Sequence, residues 1–143
     1  MTTARAIWSD GLRFVTESGS GHALVTDAST ESGGAASAPT PVELVLCGLV
    51  SCTGIDVATI LSRMRIAFDY LEISATAERA DDHPRVFTDI VLMCRVGGEV
   101  PERKLQKALD LSASKYCSVA AMLAGQARIR HEYEILPTRP VIP

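Results

Sequence analysis

Two of the chain's four cysteines stand in settings that invite chemistry: Cys52 within Val50-Ser51-Cys52-Thr53-Gly54-Ile55-Asp56, and Cys117 within Lys115-Tyr116-Cys117-Ser118-Val119. A thiol attacks an electrophile as its thiolate, so it needs positive charge or hydrogen-bond donors nearby to lose its proton. Cys52 lies in the middle of an apolar helical pattern that supplies neither, and by itself it reads as a buried core thiol. Cys117 opens a short helix, where unsatisfied backbone N–H groups favour an anion, but a small residue packed at a helix junction would look the same. Asp56 follows Cys52 by one helical turn and shares its face. A carboxylate there opposes thiolate formation, which marks Asp56 as a pocket or interface residue. Cys47 is about 140° around the helix from Cys52, and Cys94 falls in a strand pattern; both are expected only to pack. No C-x2-C pair is present, and His22, His83 and His131 have no metal-ligand spacing, so no metal site is expected.

The elements that must position these thiols can be traced along the chain. Ala4 to Trp8, Leu12 to Glu17 and His22 to Asp27 are short extended runs separated by Ser-Asp-Gly and Ser-Gly-Ser-Gly turns, which predicts three strands. Residues 28–39, ASTESGGAASAP, read as a mobile loop. Thr40-Pro41-Val42-Glu43 is a capping box with proline at the first helical position, so a helix starts there and is expected to run to about Met64. Its apolar residues cover nearly every face, the pattern of a buried helix. Glu43, Ser51, Thr53, Asp56, Thr59 and Arg63 interrupt it, which argues against a membrane span. Alternation from Leu71 to Glu78 and from Val86 to Val96 predicts an antiparallel hairpin around an Asp-Asp-His-Pro turn. Pro101 opens a second helix with Leu105, Ala108, Leu109 and Ser112 on one face. A break near Lys115-Tyr116 leads to a short helix from Cys117 to Ala124, and a last amphipathic strand follows from Ala127 to Ile135. Strands and helices are segregated, so the expected class is α+β with antiparallel sheet.

The 143 residues fit a single domain over 1–143. With 47% hydrophobic and 22% charged residues, mean hydropathy +0.17 and net charge −3 without charged blocks, disorder and an electrostatic footprint for nucleic acid or anionic membrane are both excluded. The N-terminus lacks the apolar core of a signal peptide, so a reducing, cytoplasmic location is expected.

Pro41-x-Glu43-Leu44 leading into Ser51-Cys52-Thr53-Gly54-Ile55-Asp56-Val57, together with Leu111-Ser112-Ala113-Ser114-Lys115-Tyr116-Cys117-Ser118-Val119, resembles the OsmC/Ohr family of hydroperoxide-detoxifying proteins. The likeness extends from about Ala4 to Ile135 and leans toward the YhfA-like branch. It implies antiparallel sheets wrapped around long central helices in an intertwined homodimer, with cofactor-free thiol peroxidase sites. Cys52 would be the peroxidatic thiol, Cys117 would close a disulfide, and a lipoyl-type dithiol would reduce it, with an organic hydroperoxide as substrate. The resemblance also implies an arginine that polarises the thiolate, with Arg13 as candidate and Arg5 as alternative, held by a glutamate near the helix start. In the peroxidase branches that glutamate directly follows the proline; here Val42 occupies the position, lining the pocket, and the acid is Glu43, about 100° further round. Two further readings stand beside the peroxidase: a dimeric binding protein for small apolar or thiol-bearing ligands on the same fold, and a hydrolase using cysteine and histidine, for which no histidine lies near either cysteine in sequence.

Overall fold

The computed structural model describes residues 1–141, and its packing divides into two compact units, Met1–Cys47 and Gly48–Pro143. In the first, β1 (Ala4–Asp10), β2 (Arg13–Ser18) and β3 (Ala23–Thr26) form an antiparallel sheet in the order β1-β2-β3. Gly11, at φ +52°, makes the first hairpin turn, and its carbonyl accepts a 3.0 Å hydrogen bond from the Trp8 indole. Ile7, Val15 and Val25 stand in one cross-strand row, and Trp8 and Phe14 pair in the next, on the opposite face. All five are exposed, Trp8 by 63%.

The loop after β3 has an ordered centre. Asp27, 2% exposed, accepts hydrogen bonds from the backbone N–H groups of Ala28 (2.8 Å), Ala35 (3.3 Å) and Ser37 (3.0 Å) and from the Ser37 hydroxyl (2.7 Å). These donors hold its carboxyl down at about 2, the Ser37 backbone and hydroxyl contributing most. A Cβ on Gly34 would lie 2.1 Å from the Ala28 carbonyl oxygen, so the loop closes only around glycine there. The expectation of a mobile loop over 28–39 therefore gives way to a loop wound around one carboxylate.

Helix α1 (Pro41–Arg63) begins as expected: the Glu43 carboxylate accepts from the Thr40 N–H (2.7 Å) and hydroxyl (2.9 Å), and the Glu43 N–H donates back to Thr40 Oγ1 (3.3 Å). Beyond it the second unit holds β4 (Tyr70–Arg79), β5 (Phe87–Gly97), α2 (Glu102–Leu111), a π-helical turn (Ser112–Tyr116), α3 (Ser118–Leu123) and β6 (Arg128–Leu136). β4 and β5 pair antiparallel, but β5 and β6 pair parallel, so the sheet is mixed and the expectation of a purely antiparallel sheet is corrected. The helices between β5 and β6 return the chain to the starting end of β5, and a helical crossover of that kind produces parallel strands. Ile90, Leu92, Cys94 and Val96 alternate along β5 as its buried side chains, and Cys94 and Val96 share one core cluster with Val57, Ile60, Leu61, Leu105, Ala108 and Leu109. On the other face Arg95 bridges Glu72 and Glu134 at 3.1 Å each, a ladder set by the strand register.

By length and composition α1 could cross a membrane, yet Leu49, Val57 and Leu61 are fully buried in the chain's own packing, the behaviour of a core helix. Burial is confined to Leu49, Thr53, Val57, Ile60 and Leu61. Val45, Cys47 and Ile55 are exposed, so the helix expected to be buried on all sides is covered on one stripe within the chain, and Cys47 does not pack in its core.

Asp27→Asn is expected to loosen the 28–39 loop, read as faster proteolysis or amide exchange there. Because the folded carboxyl sits below its ordinary value, its stabilisation is complete above about pH 4 and lost as pH falls toward about 2. The acid dependence of loop exchange in that window should disappear in the variant; an unchanged acid profile would contradict the role given to Asp27.

Candidate active site

The stripe that buries α1 also aims its neighbours. Thr53 and Val57 enter the core, which leaves Cys52 and Asp56, one turn apart, half-buried at its margin. Opposite them the chain leaves α2 through the π turn, closed by a 2.9 Å bond from the Cys117 N–H to the Ser112 carbonyl. The wider turn puts Ser112 inward at its start and Cys117 inward at its end, with the four residues between them exposed. Cys52 Sγ, Cys117 Sγ and a carboxylate oxygen of Asp56 consequently lie within 4.8 Å of one another.

Each member has further partners. The fully buried Ser112 hydroxyl donates to Asp56 Oδ2 at 2.8 Å. The Ala120 N–H donates to Cys117 Sγ at 3.3 Å, making Cys117 the N-cap of α3. Thr53 Oγ1 lies 3.9 Å from the same sulfur. Burial and then the hydrogen bond with Cys52 push the Cys117 thiol up, against the pull of the Ala120 N–H. The helix start expected to favour a thiolate at Cys117 is therefore outweighed by desolvation. Burial thus favours the protonated form of Cys117. Cys94, expected as strand core, is 1% exposed, and burial pushes its thiol up to about 11. His131 is half-buried in β6, and burial lowers its affinity for a proton.

In the first unit, Arg13 gives its guanidinium to Asp10, with Nε donating to Oδ1 at 2.7 Å and Nη2 to Oδ2, and its Nη1 reaches Ser37 Oγ at 3.4 Å. Arg5 pairs with Glu17. The arginine–glutamate pair expected from the resemblance is not the pairing found: Asp10 is close to Arg13 across the hairpin turn, and Glu43 is turned back on Thr40 by the capping box. Val42 is half-buried beside it. Ser112 and Thr53 were not singled out by sequence reasoning. The available signal was a hydroxyl at a core position of each apolar pattern, since a buried hydroxyl demands a partner.

A family model for OsmC-like proteins matches residues 33–132. The Escherichia coli K12 protein YhfA is 40% identical over 134 residues, 93% of this chain and 97% of that one. The chain belongs to the OsmC family. A hypothetical protein of Aquifex aeolicus superposes with TM-score 0.84 at 27% identity, over 94% of this chain and 96% of its own. An organic hydroperoxide resistance protein OsmC from Legionella pneumophila shares the fold at TM-score 0.74 and 15% identity, over 94% and 96% of the two chains. The OsmC relatives thus support the expected α+β class, with the mixed sheet as its detailed form here.

Ser112→Ala removes a hydroxyl donor from a half-buried carboxylate. It is expected to lower stability by about 1–2 kcal/mol, read from the urea midpoint. A midpoint shift below a few tenths of a kcal/mol would show that the bond does not hold the π turn to α1.

Proposed function

We propose that this OsmC-family protein is a cysteine-based peroxidase that reduces organic hydroperoxides. The observation that carries the reading is the juxtaposition of the Cys52 and Cys117 sulfurs within 4.8 Å of each other. In this cycle the Cys52 thiolate attacks the O–O bond, taking one oxygen as a sulfenic acid, and the alkoxide leaves and is protonated to the alcohol. Cys117 then gives up its proton and attacks the Cys52 sulfur; hydroxide leaves as water and a disulfide forms. A lipoyl-type dithiol returns both thiols by exchange. The order follows from exposure: Cys52 is half-buried and within reach of a substrate, whereas Cys117 is buried and its thiol is pushed up, so Cys52 attacks first and Cys117 waits. Asp56 lines the pocket in this reading. The relatives named as hydroperoxide resistance proteins favour this substrate class.

One observation favours a second reading, a dimeric binding protein for small apolar or thiol-bearing ligands: both Arg13 and Glu43 have other partners within the chain.

The working form in either reading is a homodimer. Ile7, Trp8, Phe14, Val15, Leu24, Val25, Val45 and Ile55 are apolar and exposed in one chain, and a second copy covering α1 and the N-terminal sheet accounts for them. In this reading the protein works in the cytoplasm, where thiols stay reduced between cycles.

With cumene hydroperoxide and dihydrolipoamide, the wild-type protein should turn over, and Cys52→Ser should fall to background. Cys117→Ser should still form a dimedone-trappable sulfenic acid but no intramolecular disulfide. Turnover no higher than that of Cys52→Ser would rule out the peroxidase, and a ligand-dependent rise in melting temperature would then favour the binding protein. Sizing at low micromolar concentration is expected to give a dimer; a monomer there would refute the assembly.

A further inference from the structure

Asp56 does little for a peroxidase. A carboxylate beside two sulfurs repels the thiolate on which attack depends, yet here one is held in place at 2.8 Å by the fully buried Ser112 hydroxyl. Two thiolates and a carboxylate form a donor set with a different use. A divalent cation between them reverses the sign of every interaction.

We infer that the reduced Cys52, Cys117 and Asp56 form a site for one Zn²⁺ ion, with two sulfur ligands and one oxygen ligand and a fourth position left for water. The ligand atoms already lie within 4.8 Å of one another. Zn–S bonds of about 2.3 Å and Zn–O bonds of about 2.1 Å require tetrahedral edges of roughly 3.5–3.8 Å, so the side chains close by about 1 Å. Mixed sulfur and oxygen donors suit Zn²⁺ and not Mg²⁺ or Ca²⁺, which take oxygen alone. The second shell is present as well. Ser112 orients the carboxylate, and the Ala120 N–H supports the charge on Cys117 Sγ. Binding releases the thiol protons to solvent, and ligation occupies the lone pair that would attack a peroxide. Zn²⁺ is therefore a reversible inhibitor of the reduced site. This regulatory consequence rests on the peroxidase reading; the binding itself does not.

The test uses full-length, anaerobically reduced protein and Zn²⁺ in competition with a chromophoric chelator. One equivalent per chain is expected. Cys52→Ser, Cys117→Ser and Asp56→Asn should each weaken binding by more than about tenfold, and Ser112→Ala by about tenfold. Excess Mg²⁺ should not displace the ion, and the disulfide form should not bind. Because a variant could fail for lack of folding, the wild-type protein is also alkylated with and without Zn²⁺ and mapped by mass spectrometry. Zn²⁺ should protect Cys52 and Cys117 together and leave the labelling of Cys47 unchanged. Binding unaffected by Cys52→Ser, or protection of neither cysteine, would overturn the site. Protection without any hydroperoxide turnover would leave the site standing and refute only the peroxidase; turnover indifferent to saturating Zn²⁺ would overturn the inhibition.

Discussion

One stripe of α1, formed by Leu49, Thr53, Val57, Ile60 and Leu61, sets the register on which the larger unit depends. Val57, Ile60 and Leu61 of that stripe pack in one buried cluster with Cys94 and Val96 of β5 and Leu105, Ala108 and Leu109 of α2, and the apolar surface they lose there favours this one rotation of the helix. Rotation of the helix by one position, about 100°, would take Thr53 and Val57 out of the core and turn Cys52 and Asp56 away from the π turn. The chemistry is thus fixed by packing that contains none of it. The same constraint explains why the site lies at the margin of the stripe: a side chain one position from a buried one is close enough to be shielded and exposed enough to meet a substrate.

The π turn is the second part of that arrangement. An α-helical continuation past Leu111 would advance the chain by 3.6 residues per turn, whereas the wider turn brings Ser112 and Cys117 inward together through an i to i+5 bond. The two residues then divide the work. Ser112 holds Asp56, and Cys117, capped onto α3 by the Ala120 N–H, faces Cys52 with its proton retained by burial. Two thiols of one residue type thus differ in exposure, Cys52 half-buried and Cys117 buried, because they enter the site from different elements.

The smaller unit is organised by charge. Asp10 takes the Arg13 guanidinium, Arg13 reaches Ser37, and Ser37 donates to Asp27, so one polar chain joins the first hairpin to the loop before α1. Its sheet shows apolar side chains on both faces, and α1 shows them beyond its buried stripe. On a chain with mean hydropathy +0.17, this exposed apolar surface is where the surplus of Ala, Val and Leu that one chain does not bury is found.

Local patterns carried much of the fold. Thr40-Pro41-Val42-Glu43 announced the start of α1 because a capping box is satisfied within four residues, and Leu71 to Glu78 announced β4 because alternation is a property of one strand. The parallel pairing of β6 was not legible, since strand direction depends on where α2, the π turn and α3 deliver the chain. The partner of Arg13 was not legible either: several carboxylates lie within reach in sequence, and geometry selected Asp10. The cysteines show the division most clearly. The sequence by itself determined that Cys52 and Asp56 share a helix face and that Cys117 begins a helix, because these follow from helical periodicity and local capping. Only the tertiary structure decided that residues 65 apart in the chain meet within 4.8 Å, and that Cys117 keeps its proton, because proximity and desolvation arise from packing between distant segments.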